Sequence, residues 1–272
     1  MKKRVGIIGT GNMGAALVRG IAARIGGGEI VLMDVDAAKA QGLARELGAG
    51  VAQGYAELAA SVEYLFLAVK PQGLDELLSA LAGPLGACGK DAPVIVSIIA
   101  GAGIVRFEKG LAGAQLPGLQ IIRLMPNTPA LVGKGMIALA QGKNVQERQV
   151  ACVEDLLAGT GLVDRVDEKL MDAVTAVSGS GPAYGFVFID ALADAGVRAG
   201  LPRPQALRFA AQTLLGAAAM VIETGKHPGE LKDAVASPAG TTIEALAALD
   251  EHGFRASIHA AVAAAFEKAK SL

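Results

Sequence analysis

The run Arg4-Val5-Gly6-Ile7-Ile8-Gly9-Thr10-Gly11-Asn12-Met13-Gly14 decides how the first half of this chain folds. An apolar strand runs straight into a G-x-G-x-x-G turn. From Asn12 to Ile25 the apolar residues then fall three and four apart, the spacing of a helix. The three glycines serve different ends. Gly9 permits the tight turn, Gly11 lets backbone approach a pyrophosphate, and Gly14 lets the helix pack close to the sheet. The helix start, with Asn12 and Met13, offers N–H groups and a partial positive charge to phosphate. A second apolar run, Glu29–Met33, ends in Asp34, which lies 20 residues past Gly14, where a carboxylate meets ribose hydroxyls. A Gly-rich turn alone is weak evidence. The strand before it, the helix after it and Asp34 together make it a dinucleotide-binding loop.

Working outward, the apolar runs Glu63–Ala68, Val94–Ile98 and Leu119–Leu124 read as further buried strands, and Ala37–Leu47 and Gly73–Leu81 as helices. Alternating strands and helices, with the strands apolar almost throughout, point to a parallel sheet covered on both faces. Right-handed crossovers make it a doubly wound, Rossmann-type α/β fold. After Val166 the strand signals stop. Ser180 reads as an N-cap with Pro182 close behind it, Pro204 opens a run that Gly225 closes, and a last helix covers Phe254–Lys268. Within the Pro204 run, Leu207, Ala211, Leu214, Ala218 and Val221 share one stripe. We therefore expect a dinucleotide-binding domain over 1–166 and an all-α domain over 167–272.

The 272 residues are 52% hydrophobic but only 4% aromatic, so the core is aliphatic and Ala-rich. A formal charge of −1, with no basic stripe interleaved with aromatics, argues against a nucleic-acid partner. Cys88 and Cys152 stand alone, without metal-ligand or disulfide spacing, which suits a reducing cytoplasm and indicates no metal site. The most apolar helical stretch, Ala206–Ile222, contains Arg208 and Gln212 and falls short of a span of roughly 20 residues, so no membrane is expected. Helices this apolar are expected to bury a face against a second copy of the chain.

Four further segments stand out. Ala68-Val69-Lys70-Pro71 and Met125-Pro126-Asn127-Thr128-Pro129 end strands at the carboxyl edge of the sheet, where ligands bind, and Ala100 follows another strand there. Ser178-Gly179-Ser180-Gly181-Pro182-Ala183-Tyr184 turns into the first long helix. Asp233-x-Val235-x-Ser237-Pro238-Ala239-Gly240-Thr241-Thr242, with His227-Pro228-Gly229 upstream, makes another helix start, read with Ser237 as N-cap and Pro238 at the first helical position.

Over essentially its whole length the chain resembles the 1-pyrroline-5-carboxylate reductase family, and the Ser237–Thr242 segment is the most specific part of the match. The family commonly has Gly where this chain has Ala239, which costs stability if that position needs a positive φ. The resemblance implies a Rossmann domain joined to a helical domain that forms homodimers, often assembled into rings of dimers. It implies NAD(P)H-dependent reduction of a cyclic imine to L-proline. It also implies that Ser237, Ala239, Gly240, Thr241 and Thr242 hold this small substrate, with Thr242 as the catalytic group at the ring nitrogen. Many members use NADPH, whereas the negative charge of Asp34 and Asp36 favours NADH over a 2′-phosphate.

The residues agree with chemistry that needs positioning more than a strong acid, because a protonated imine already accepts hydride and no His–Asp or Lys–Asp pair presents itself. Ala68, Val69, Lys70, Pro71, Ala100 and Asn127 are cofactor-binding candidates, and Ser178 is a substrate-binding one. Lys70 also reads as a solvated loop lysine, Asn127 as a turn residue and Ser178 as a helix cap. His227 reads as structural and Tyr184 as core. A β-hydroxyacid dehydrogenase is the nearest alternative, but that chemistry needs a base, usually a lysine, on the helix after Ser180, and the sequence there has none. A nucleotide-sensing scaffold is the non-enzymatic alternative, and it has no use for a second anion-binding helix start.

Overall fold

A computed structural model describes residues 2–271. The chain divides into two compact units, Met1–Gly179 together with Phe266–Leu272, and Ser180–Ala265.

The first unit is built on an eight-stranded sheet: β1 (Lys3–Ile8), β2 (Ile30–Met33), β3 (Gly50–Val51), β4 (Val62–Leu67), β5 (Val94–Ser97), β6 (Ile121–Met125), β7 (Gly135–Gln141) and β8 (Gly161–Arg165), in the spatial order β3-β2-β1-β4-β5-β6-β7-β8. The first six strands are parallel and make the doubly wound arrangement that the sequence predicts. The sheet is not wholly parallel. β7 runs antiparallel to β6, and β8 then pairs parallel with β7. The sequence pattern does not announce these two strands or the two-residue β3. β7 reads Gly-Met-Ile-Ala-Leu-Ala-Gln, whose small residues carry little strand signal.

The period of two explains the layering. Val5, Ile7, Tyr64, Phe66, Val94 and Val96 point to one face, where Leu17, Val18 and Ile21 of α1 (Asn12–Ile25) and Leu43 of α2 (Ala37–Leu47) meet them. Ile8, Leu65, Leu67 and Ile95 point to the other, against Leu58 of α3 (Tyr55–Ser61), the leucines of α4 (Leu74–Cys88) and Phe107 of α5 (Ile104–Gly110). Burying each such side chain stabilises the sheet by about 1.5–3 kcal/mol. α6 (Glu147–Leu157) completes the first face with Val150 and Val153. α4 continues through Pro84 rather than stopping near Leu81, with Leu81 and Leu85 both buried.

The change of sequence pattern at Val166 and the packing division at Gly179 differ for a physical reason. The residues between are helical, but Met171 of α7 (Met171–Val174) is fully buried against Ala138 and Ala140 of β7. After α7 comes a π-helical turn, Thr175–Gly179.

The second unit is all helix, as expected: α8 (Gly181–Arg198), α9 (Arg203–Thr224), α10 (Pro228–Val235), α11 (Thr241–Glu251) and most of α12 (Phe254–Ala269). Pro204 opens α9, and Gly225 closes it in a left-handed conformation with φ 63°. Ser180 precedes α8 but lies in right-handed helical geometry and makes no capping hydrogen bond, so it does not act as the expected cap. The buried seam in this unit is small: Ala193 with Ala206 and Ala210. Of the predicted α9 stripe, Leu207 is exposed and none of the five residues is fully buried. Ile222 stands 66% exposed, so the apolar surface of this helix is unsatisfied within a single chain. By length and composition alone α9, at 22 residues, is long and apolar enough to cross a membrane, contrary to the shorter span counted in the sequence.

Candidate active site

Three loops meet at the carboxyl edge of the sheet. Gly9 N–H donates to the Met33 carbonyl at 2.9 Å and Ala68 N–H to the Ile8 carbonyl at 2.8 Å, which ties the ends of β1, β2 and β4 side by side. Gly9 takes φ 100°, and a Cβ there would come within 2.5 Å of the Ala68 carbonyl oxygen. A Cβ at Gly14 would collide with the Gly9 carbonyl oxygen. Gly11 is different: a Cβ on it would meet open space, and as the N-cap of α1 it carries no side-chain cap. The first N–H groups of α1 are thus left to an incoming anion.

Asp34 closes the loop from the far side. Its Oδ2 accepts the Thr10 N–H at 2.5 Å and the Thr10 hydroxyl at 2.8 Å, and its Oδ1 accepts the Asp36 N–H at 2.9 Å. Burial pushes this carboxyl group's pKa up, but the N–H groups of Thr10 and Asp36 and the Thr10 hydroxyl outweigh burial and hold it below the usual carboxylate range. Asp34 therefore presents a full negative charge. Beside it, Lys39 Nζ lies 3.4 Å from Asp36 Oδ2.

A pocket of about 390 Å³ at this edge is lined by Gly9, Gly11, Asp34, Ala68, Val69 and Lys70 of the predicted set. Asn12, Met13, Gly14, Pro71, Ala100 and Asn127 do not line it. Val35, Tyr55, Gly73 and Glu76 line it without having been expected there. Val35, next to Asp34, is 99% exposed. Tyr55 comes from the start of α3, and no sequence signal links it to the loop. The residues present fit a dinucleotide: an uncapped helix start, a close backbone approach at Gly11 and a carboxylate at the end of β2.

Asn127 follows β6 at the same edge, but its amide works inside the protein. Oδ1 accepts the Met136 N–H at 2.9 Å, and Nδ2 donates to the Ser178 carbonyl at 3.1 Å. Lys70 is exposed. Among the described residues no group of three His, Cys, Asp or Glu is placed to hold a metal ion.

The segment 237–242 belongs to the second unit. Here the expected cap is corrected: α11 begins at Thr241 with Gly240 as its N-cap, and Ser237–Gly240 form a turn that precedes the helix. Gly240 N–H donates to the Ser237 carbonyl at 3.1 Å. Pro238 at the second position and Ala239 at the third, with φ 52°, give the type II pattern. Ala239 thus sits in the left-handed region that disfavours a Cβ, so its departure from the family's glycine carries strain. Gly240 packs against Ser237, whose hydroxyl oxygen a Cβ would strike. No side chain caps α11, so its first N–H groups, at Thr241, Thr242 and Ile243, have no capping side chain as acceptor. His227 caps α10, accepting the Gly229 N–H on Nδ1 at 3.1 Å, which is a structural role.

Comparison with known proteins places both halves. Residues 168–272 match the family model described as pyrroline-5-carboxylate reductase dimerisation, and residues 4–101 match that of NADP oxidoreductase, coenzyme F420-dependent. The pyrroline-5-carboxylate reductase of Synechocystis is 44% identical, covering 100% of this chain and 99% of that one. That of Escherichia coli is 40% identical over the same shares. Among solved structures, a pyrroline-5-carboxylate reductase from Coxiella burnetii superposes with a TM-score of 0.90 at 30% identity, covering 100% of this chain and 98% of that one. The Plasmodium falciparum pyrroline carboxylate reductase with NADP bound gives 0.85 at 30% identity, covering 100% and 99%. The chain belongs to the pyrroline-5-carboxylate reductase family.

Proposed function

We propose that this chain reduces 1-pyrroline-5-carboxylate to L-proline with NAD(P)H. The observation that carries the reading is the end-to-end match to reductases of that name, 40–44% identical, which spans both the dinucleotide loop and the Ser237–Thr242 turn. When bound, the dinucleotide supplies the hydride.

The chain's own groups do the rest. Gly11, Asn12 and Met13 hold the pyrophosphate by backbone, Gly9 and Gly14 shape the turn around it because the Gly9 N–H is committed to Met33, and Asp34 accepts from a ribose hydroxyl. Ala68, Val69, Lys70, Pro71 and Ala100 shape the dinucleotide side of the site, while Asn127, expected there from the sequence, supports the edge from inside through Met136 and Ser178. Asp34 favours NADH, because its held negative charge repels a 2′-phosphate and the nearest cation, Lys39, is already paired with Asp36.

The substrate carboxylate is held by the helix start of α11, with donors at Ala239, Thr241 and Thr242 and a hydroxyl at Ser237. Gly240 contributes by shape, since its own N–H is committed to Ser237. The Thr242 hydroxyl, which can donate or accept, hydrogen-bonds the ring nitrogen and orients the C=N bond for hydride attack. Ser178 lends a further hydroxyl to the substrate.

The chain forms oligomers through the helices after residue 167, and its substrate is a small molecule. We assign 1–166 to dinucleotide binding and 167–272 to substrate binding and dimerisation, place the enzyme in the cytoplasm, and expect the dimers to associate into a ring. Arg208 and Gln212 interrupt α9, and a partner helix, rather than lipid, accounts for its apolar surface. Neither nucleic acid nor membrane enters this reading.

The test is turnover of reduced dinucleotide with pyrroline-5-carboxylate, against 3-hydroxyacids run in the oxidative direction. Activity with the imine alone supports the reading, and activity with 3-hydroxyacids alone overturns it.

A further inference from the structure

Two motifs singled out in the sequence, Met125–Pro129 and Ser178–Tyr184, meet through one side chain. Asn127 is 9% exposed, and both polar atoms of its amide are engaged. The Met136 N–H needs an acceptor and finds Oδ1 at 2.9 Å, which fixes the amide's orientation. Nδ2 is thereby turned to Ser178, donating to its carbonyl at 3.1 Å and to its hydroxyl oxygen at 3.3 Å.

Ser178 lies in the π-helical turn Thr175–Gly179, a geometry that concentrates at functional sites. The turn is held firmly. Ala176 is buried, and the Thr175 hydroxyl donates to the Met171 carbonyl at 2.8 Å. Gly179 sits so close to Met125 that a Cβ would come 2.6 Å from its Cε.

We propose that Asn127 is a positioning residue which makes Ser178 a hydrogen-bond donor to the substrate. A serine hydroxyl can donate once and accept twice. Because Asn127 supplies the hydrogen in the contact between them, the hydroxyl's own hydrogen stays available for the substrate's carboxylate. This rests on the reading of Ser178 as a substrate-binding residue.

Asn127→Asp tests it on the full-length enzyme. The aspartate keeps the acceptor for Met136 but replaces the donor to Ser178 with a second acceptor, which captures the hydroxyl hydrogen. The expected result is a KM for pyrroline-5-carboxylate raised by roughly tenfold, the effect of one lost hydrogen bond, with the dissociation constant for reduced dinucleotide unchanged. Ser178→Ala gives the same rise, and the double variant is no worse than either single one. Should the aspartate variant fail to fold, Asn127→Ser, uncharged and too short to reach Ser178, removes the donor that orients the hydroxyl without capturing its hydrogen, so it should raise the KM in the same direction but by less, with dinucleotide binding unchanged.

If Ser178→Ala leaves the KM unchanged, the reading of Ser178 falls and the proposal with it. If Ser178→Ala raises the KM and the Asn127 variants do not, the proposal alone falls. Weakened dinucleotide binding in Asn127→Asp, with the imine KM unchanged, also overturns it and makes the amide a cofactor contact.

Discussion

Thr10 and Asp34 lock the Gly-rich turn to the end of β2: one carboxylate oxygen accepts both the N–H and the hydroxyl of Thr10. Asp34 is therefore a brace for the loop as well as the group we assign to the ribose. Asp34→Asn keeps an acceptor but removes the charge. We expect it to weaken NADH binding by about tenfold, the effect of a charge-assisted hydrogen bond, while NADPH binding falls less, so that the preference narrows. Fluorescence titration with both reduced dinucleotides checks this. An unchanged ratio of the two affinities contradicts it.

The same carboxylate makes stability depend on pH. Its pKa in the folded state lies below the ordinary 3.8, so its contribution is present above that value and is lost as pH falls through the lowered one. Urea unfolding midpoints of the native protein should drop on acidification below 3.8 more steeply than those of Asp34→Asn. Parallel curves for the two proteins would remove Asp34 as the cause.

Ala239 with φ 52° is a local cost that glycine would relieve. A left-handed non-glycine residue costs roughly 1–2 kcal/mol, and the freedom glycine adds to the unfolded chain takes part of that back. Ala239→Gly should therefore stabilise the protein by about 1 kcal/mol, read as a rise in thermal midpoint. A fall would mean that the turn tolerates Ala without strain.

Thr242 offers the only side-chain hydroxyl in our scheme at the ring nitrogen. Thr242→Ala should lower kcat on the order of 10²-fold, the lower end for removal of a transition-state hydrogen bond, while Thr242→Ser retains most of the rate. Normal kcat and KM in the alanine variant would take the role away.

The exposed apolar face of α9 calls for a second chain. Leu215, 55% exposed, and Ile222 lie on it. Leu215→Glu should shift the protein to smaller species in analytical ultracentrifugation and lower its thermal midpoint. An unchanged sedimentation profile would place the interface elsewhere.

The legible parts of this protein are those governed by local periodicity. β1, β2, β4, β5 and β6, the loop from Gly9 to Gly14 and the two ends of α9 follow from apolar spacing and from Gly and Pro chemistry. β7 and β8 are not legible, because the small residues of β7 and the two apolar residues of the short edge strand β8, Leu162 and Val163, give little signal, and antiparallel insertion is decided by tertiary pairing. Val35 and Tyr55 reach the pocket only because the loop after β2 and the start of α3 line the same recess, a relation that spacing along the chain does not encode. Ser237 reads as a cap because Ser-Pro is an N-terminal signal, yet here it opens a turn and the helix waits for Gly240.

Initial-rate kinetics of the purified, full-length enzyme on pyrroline-5-carboxylate, with NADH and NADPH run side by side, bear on the reaction itself. Oxidation of the dinucleotide should be matched one for one by proline formed, with the higher kcat/KM for NADH. Dinucleotide oxidation without proline, or no oxidation with either cofactor, contradicts the assigned reaction.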